Sequence, residues 1–257
     1  MKTSKKNILI VGTGVIGAYL SKFLLSKNYN IYVTTRKKKR FDNYKKLNIK
    51  NKVNFIKLDI LNIKSIYKLI KKINPLTIYY LAGQSSIKKS FSLKKSTMDS
   101  NFLGCKNFVK VLYKNDLKIN LLKANSGYIF SSINLKNPSN NKLIKVNSPY
   151  VNAQQKAFRM IQEYRNKGIN CFNIILFNAE SHLRPNDYFI KKVCIYIKKN
   201  IYKKQKLKLG NIKIIRDFGW VPDLVKAIYY MTYLKPCDLI IGSGKKISLE
   251  KILQIIF

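Results

Sequence analysis

Residues 7–36 read NILIVGTGVIGAYLSKFLLSKNYNIYVTTR, and this stretch decides the fold. Asn7 to Val11 is a short apolar run with the length of a buried strand. Gly12, Gly14 and Gly17 form a Gly-x-Gly-x-x-Gly turn, Tyr19 to Leu25 are amphipathic, and Ile31 to Thr35 form a second strand. Each glycine has a mechanical reason. The first permits a tight turn, the second lets backbone approach a pyrophosphate, and the third lets helix pack on strand. The pattern between a strand and a helix points to a dinucleotide site; the bland alternative is a structural glycine turn. Dinucleotide sites that select NAD end the second strand with an acid for the ribose 2′-hydroxyl. Here it ends VTTRKKKR, and Arg36 with Lys37 suits a 2′-phosphate, which favours NADP over NAD.

The alternation continues outward. VNFIKLDI reads as a strand, NIKSIYKLIKKIN as a helix, LTIYYLAG as a strand and NFLGCKNFVKVLYKN as a helix. SGYIFSS (126–132) reads as a strand, NAQQKAFRMIQEYRNKG as a helix and NCFNIILFN as a strand. Strands alternating with helices predict an α/β protein with a doubly wound parallel sheet of the Rossmann type. Ligands then belong at the carboxyl ends of strands, in the loops after Val11, Leu81, Phe130 and Phe177. No internal repeat interrupts the pattern, and 134–149 is the one clear irregular loop.

Composition narrows the function classes. The chain has 257 residues and is 46% hydrophobic, which fits a globular protein, and no apolar run has the length of a membrane span. The basic start is followed by a glycine pattern rather than a cleavage site, so no signal peptide is expected. Four scattered cysteines and a single histidine make neither a zinc site nor a disulfide framework. A cytoplasmic protein with no metal and no membrane partner is predicted. Lys and Arg number 51 against 11 Asp and Glu, a formal charge of +40. Such charge suits nucleic acid, but lysine is spread along the whole chain, as in a compositionally biased alphabet. No specific nucleic-acid partner is therefore expected, only a salt-sensitive attraction to polyanions.

Further segments carry a family resemblance. NPLTIYYLAGQSSIKKSFSL, SPY, ILFNAES, LGNIKIIRDFGWVPDLVKAIYYM and GSGKKISLEKI fall in the order of the extended short-chain dehydrogenase/reductase family. Within it the chain most resembles the GDP-mannose 4,6-dehydratase branch, from about residue 7 to the last residue. The resemblance implies a Rossmann domain over 1–177, with 219–235 packing back onto it. Residues 178–218 and 236–257 would form a partial nucleotide-sugar lobe, shorter than the family's. It implies a nucleotide sugar, GDP-mannose, as substrate. The reaction is oxidation at C4, loss of water across C5 and C6, and return of the hydride to C6. Asp59 would meet the adenine, and Ala82, Gly83 and Gln84 the nicotinamide ribose and pyrophosphate. Asn178, Glu180, Arg184 and Arg216 would hold the substrate, with Asp217 open as a structural partner of Arg216. His182 reads as a surface loop residue, and a homo-oligomeric state is left open.

The catalytic positions depart from the family. A tyrosine serves as C4 base, its pKa lowered by a lysine four residues on. A Ser or Thr at the end of the preceding strand bonds the C4 oxygen, and a Glu two residues later handles the C5/C6 step. Matched to this chain, these are Tyr150, Gln154, Ser132 and Asn134. Neither Gln nor Asn can act as base or carry a positive charge. Lys156 is the nearby lysine. Six helical residues advance about 600° against about 400° for four, so it points away unless the first turn is distorted. An enzyme with weakened proton chemistry is expected. A non-catalytic relative that binds dinucleotide or nucleotide sugar is the rival, and a nucleic-acid-binding Rossmann protein a remote third.

Overall fold

The computed structural model describes residues 5–36, 41–131, 141–200 and 206–257. The opening stretch forms strand β1 (Asn7–Val11), helix α1 (Val15–Ser26) and strand β2 (Asn30–Thr35). A short helix α2 (Asp42–Lys46) precedes β3 (Asn54–Lys57). Helix α3 (Ile63–Ile73) starts where the Asn62 side chain accepts from the Ser65 amide at 2.9 Å, and it leads to β4 (Thr77–Tyr80). Two short helices, α4 (Ile87–Ser92) and α5 (Lys94–Met98), run through a π-helical turn at Asp99–Leu103 into α6 (Gly104–Lys114). Strand β5 (Asn120–Ser126), helix α7 (Pro149–Asn166) and strand β6 (Cys171–Leu176) follow. The remainder is β7 (Asn178–Glu180), α8 (Phe189–Asn200), β8 (Ile215–Arg216), β9 (Phe218–Trp220), α9 (Val221–Tyr230), β10 (Asp238–Ile241), β11 (Ile247–Ser248) and α10 (Leu249–Ile256).

Among the described residues, seven strands form one parallel sheet in the order β10-β6-β5-β4-β1-β2-β3. The doubly wound architecture is as expected. Alternate residues of each strand feed opposite faces, and both faces are covered. Ile8 and Ile10 pack with Leu20 and Leu24 of α1 and Leu224 and Ile228 of α9. Leu9 and Val11 pack with Ile66 and Ile70 of α3, Phe108 and Leu112 of α6, and Ile161 of α7. The chain reverses direction across the sheet between β1 and β4, which opens a crevice at their carboxyl ends. Beyond the sheet, β7 pairs with β9 and β8 with β11. Among the described residues no helix is long and apolar enough to cross a membrane.

One expected element is corrected. The strand before α7 is 120–126, not SGYIFSS. Gly127–Ile129 instead form a 3₁₀ turn, capped by Ser126 Oγ accepting from the Tyr128 amide at 3.2 Å. The strand went unread because Lys123 and Asn125 interrupt its apolar pattern, yet both are buried. Asn125 is accommodated by donating to Asn173 Oδ1 on β6 at 2.6 Å.

Candidate active site

The glycine turn has the geometry its pattern implies. Gly12 has φ +112°, and a Cβ there would stand 2.9 Å from the Ala82 backbone nitrogen, so only glycine fits. A Cβ on Gly17 would meet the Gly12 carbonyl at 2.9 Å, whereas one on Gly14 would meet open space. Helix α1 has no side-chain cap and no acidic residue in its first turn. A helix start aimed into the crevice without a carboxylate fits a pyrophosphate, which its amides and dipole favour. Arg36 directly follows β2 and is exposed; Lys37 lies outside the described residues. Asp59 is exposed after β3, its carboxylate accepting from the Leu61 amide at 2.9 Å.

Ala82, Gly83 and Gln84 follow β4. Gln84 turns back on its own loop, donating to the Ser86 carbonyl at 2.7 Å, while Ser85 Oγ lies 2.9 Å from Tyr188 Oη. Gly83 is held against Asn101, whose Nδ2 donates to the Gln84 carbonyl at 3.0 Å. The Asn101 Oδ1 is buried without a hydrogen-bond partner among the described residues. Asn101 sits in the π-helical turn, a distortion frequent at functional sites. Sequence reading passed it over as an ordinary helix residue.

Tyr150 stands in the first turn of α7, which Ser148 caps by accepting from the Val151 amide at 3.2 Å. Pro149 fills the first helical position, where its missing N–H costs nothing. The Tyr150 ring is 6% exposed. Burial pushes its phenol up from the usual range, and the neighbouring Ser126 and Gln154 side chains draw it part of the way back. Gln154, one turn on, is also buried, whereas Lys156 is exposed on the far side of the helix.

The wall opposite comes from the segment after β6. Glu180 and Arg184 lie 3.4 Å apart, and the Arg184 guanidinium stacks 3.6 Å from the Tyr188 ring centre. Burial raises the Glu180 carboxyl, opposed by Arg184. Asn178 donates through Nδ2 to the Asp217 carbonyl at 3.2 Å. The Arg216 Nε donates to Tyr128 Oη at 2.6 Å, its guanidinium 4.9 Å from that ring. Asp217 is not its ion-pair partner: that carboxylate accepts from the amides of Ser243 and Gly244 at 3.0 and 2.9 Å. His182 is exposed, its Nδ1 2.9 Å from Tyr19 Oη. A separate groove of about 740 Å³ opens at the amino ends of β1 to β3, away from this constellation.

Residues 9–257 match the family model described as GDP-mannose 4,6 dehydratase. The chain belongs to this family. Relatives include the GDP-mannose 4,6 dehydratase of Dictyostelium discoideum, 28% identical across 99% of this chain and 76% of that one. The human enzyme of that name is 28% identical across 96% and 70%. In fold the chain resembles the dTDP-glucose 4,6-dehydratase of Bacillus anthracis, solved in complex with NAD. That match has TM-score 0.83 and 19% identity, over 98% of this chain and 80% of that one. The UDP-glucose 4-epimerase of Thermotoga maritima, solved with UDP-glucose, has TM-score 0.81 and 18% identity over 97% and 81%.

Against the GDP-mannose 4,6-dehydratase pattern, the corrected strand changes the matching. Ser132 and Asn134 lie outside the described residues. The residue at the carboxyl end of β5 is Ser126, beside Tyr150, and two residues on comes Tyr128. The signal that could have located Ser126 was spacing: α7 needed a strand that paired in register with both β4 and β6.

Proposed function

We propose that the protein is a GDP-mannose 4,6-dehydratase with altered proton-handling residues, using NADP. The observation that carries the reading is the meeting of Ser126 and Tyr150 at the carboxyl end of β5, beside the crevice that the glycine turn borders. When bound, the nicotinamide supplies the hydride acceptor for C4 and the donor for C6. Gly12, Gly14 and Gly17 would admit the pyrophosphate, Arg36 would meet the 2′-phosphate, and Asp59 would hold the adenine. Ala82, Gly83 and Gln84 would line the ribose. Tyr150 takes the proton from the C4 hydroxyl while Ser126 Oγ holds that oxygen, a pairing of base and orienting group. Tyr128, 39% exposed and hydrogen-bonded to Arg216, occupies the place of the family's C5/C6 glutamate. A phenol is a poorer base than a carboxylate near neutrality, so slow elimination is expected. Asn178, Glu180, Arg184 and Arg216 hold the nucleotide sugar, the arginine forks suiting its diphosphate.

Tyr128 and Gln154 in place of a carboxylate and a lysine are also what a non-catalytic binding relative would carry. Turnover separates the two. Incubation with GDP-mannose and NADP, followed by mass spectrometry for loss of water from the sugar nucleotide, should give slow conversion. Tyr150→Phe and Ser126→Ala should each lower kcat by about 10² or more. Tight binding without conversion would favour the non-catalytic reading.

A further inference from the structure

Lys123 is the least expected residue of the core. It lies in the middle of β5, 1% exposed, and no carboxylate among the described residues pairs with it. Its ammonium donates to the Ala124 carbonyl and reaches Gln154 Oε1 at 3.4 Å. Around it stand the Tyr80 ring of β4, centred 5.8 Å away, the Cys105 thiol of α6, and Gln154 of α7, one helical turn after Tyr150. A buried, unpaired cation is costly, and a hydrophobic residue of similar length would serve packing better. Burial lowers its pKa to about 8, so it still carries its charge at neutral pH.

We propose that Lys123 is a positioning residue for Tyr150: from the strand it fixes the direction of the Gln154 amide, which stands where the helix lacks a lysine, so that the amide presents its donor end to the phenol. The amide is a bridge with a fixed direction. An ammonium only donates, so it claims Gln154 Oε1 and leaves the Nε2 group for Tyr150. A donor to the phenol oxygen favours phenolate, the direction in which Gln154 acts on Tyr150. A glutamine at 154 without Lys123 would have no reason to present its donor end. This inference rests on the reading of Tyr150 as the proton acceptor, and its test is independent of turnover.

The test is the titration of Tyr150 in the full chain, with tyrosine labelled at Cζ and the Tyr150 resonance assigned from Tyr150→Phe. Lys123→Met and Gln154→Leu should each weaken the acidity of Tyr150 by about tenfold or more. Lys123→Arg should preserve it, and the exchange Lys123→Gln with Gln154→Lys should restore it. An unmoved midpoint in Lys123→Met, or in Gln154→Leu should the first fail to fold, overturns the proposal. In the unsubstituted protein, nuclear Overhauser contacts should join the Gln154 amide to both the Lys123 side chain and the Tyr150 ring; their absence also overturns it. A Tyr150 shift in a protein that never converts GDP-mannose would sink the dehydratase reading and leave the bridge standing. Conversion with no shift would do the reverse.

Discussion

Replacing Lys123 by Met should stabilise the protein, and the gain should depend on pH in a defined sense. In the unfolded chain the lysine titrates near its ordinary 10.5; in the fold burial brings it to about 8. Below about pH 8 both states hold the proton and the fold bears the whole cost of the buried charge. Between about 8 and 10.5 the unfolded state binds more protons than the folded one, so wild-type stability gains a rising contribution with pH. The full difference, at about 1.4 kcal/mol per pH unit, is roughly 3 kcal/mol. Methionine has similar length, no charge and a flexible apolar chain. Lys123→Met should therefore be more stable by about 3 kcal/mol near neutral pH, and this advantage should vanish towards pH 10.5. Cys105, raised to about 12 by burial, destabilises the fold above about pH 9 in both proteins and largely cancels in the comparison. Urea unfolding followed by circular dichroism, at steps from pH 7 to about 10.5, measures it. A variant that is less stable than wild type, or a difference that does not change with pH, would refute the reasoning.

Other consequences are equally concrete. Gly12→Ala forces a side chain onto a φ of +112° and against Ala82, so it should cost about 1–3 kcal/mol and weaken dinucleotide binding, read by thermal unfolding and titration. Arg36→Ala should lower affinity for NADP by about tenfold while leaving NAD little changed, since one charge-assisted phosphate contact is removed; fluorescence titration with both dinucleotides measures it. Asp238 is buried and accepts from Arg165 at 2.5 Å, Asn173 at 2.8 Å and Gln162 at 2.7 Å. Asp238→Ala should cost about 3–5 kcal/mol in urea unfolding, because it strands a guanidinium that is mostly buried.

How much of this was legible in the residues depended on where polar groups are buried. The β1–α1–β2 unit could be read from its glycines, because each answers a steric demand of the backbone. Tyr150 was legible from Ser-Pro before it, which starts a helix by known capping chemistry. Strand β5 was not, since Lys123 and Asn125 broke a pattern whose logic assumes that buried strands are apolar. The apolar SGYIFSS run beside it looked more like a strand than the strand itself, so the strand's end was read at Ser132 where the structure ends it at Ser126. Lysine is abundant along this chain, so nothing marked Lys123 as different from its exposed neighbours. Its burial depends on the sheet and α7 closing over it, a tertiary fact that no local pattern records. Arg216 likewise found its partner in Tyr128, far away in sequence, rather than in adjacent Asp217.

The most direct test of the central claim follows the hydride. GDP-mannose carrying deuterium at C4 should be incubated with NADP and the protein at a concentration comparable to the substrate, so that even slow turnover registers. The expected result is a 4-keto-6-deoxy sugar nucleotide with the deuterium at C6, formed by the protein and not by Tyr150→Phe. Conversion no greater than that of Tyr150→Phe, or a product whose C6 carries only solvent hydrogen, would contradict the account.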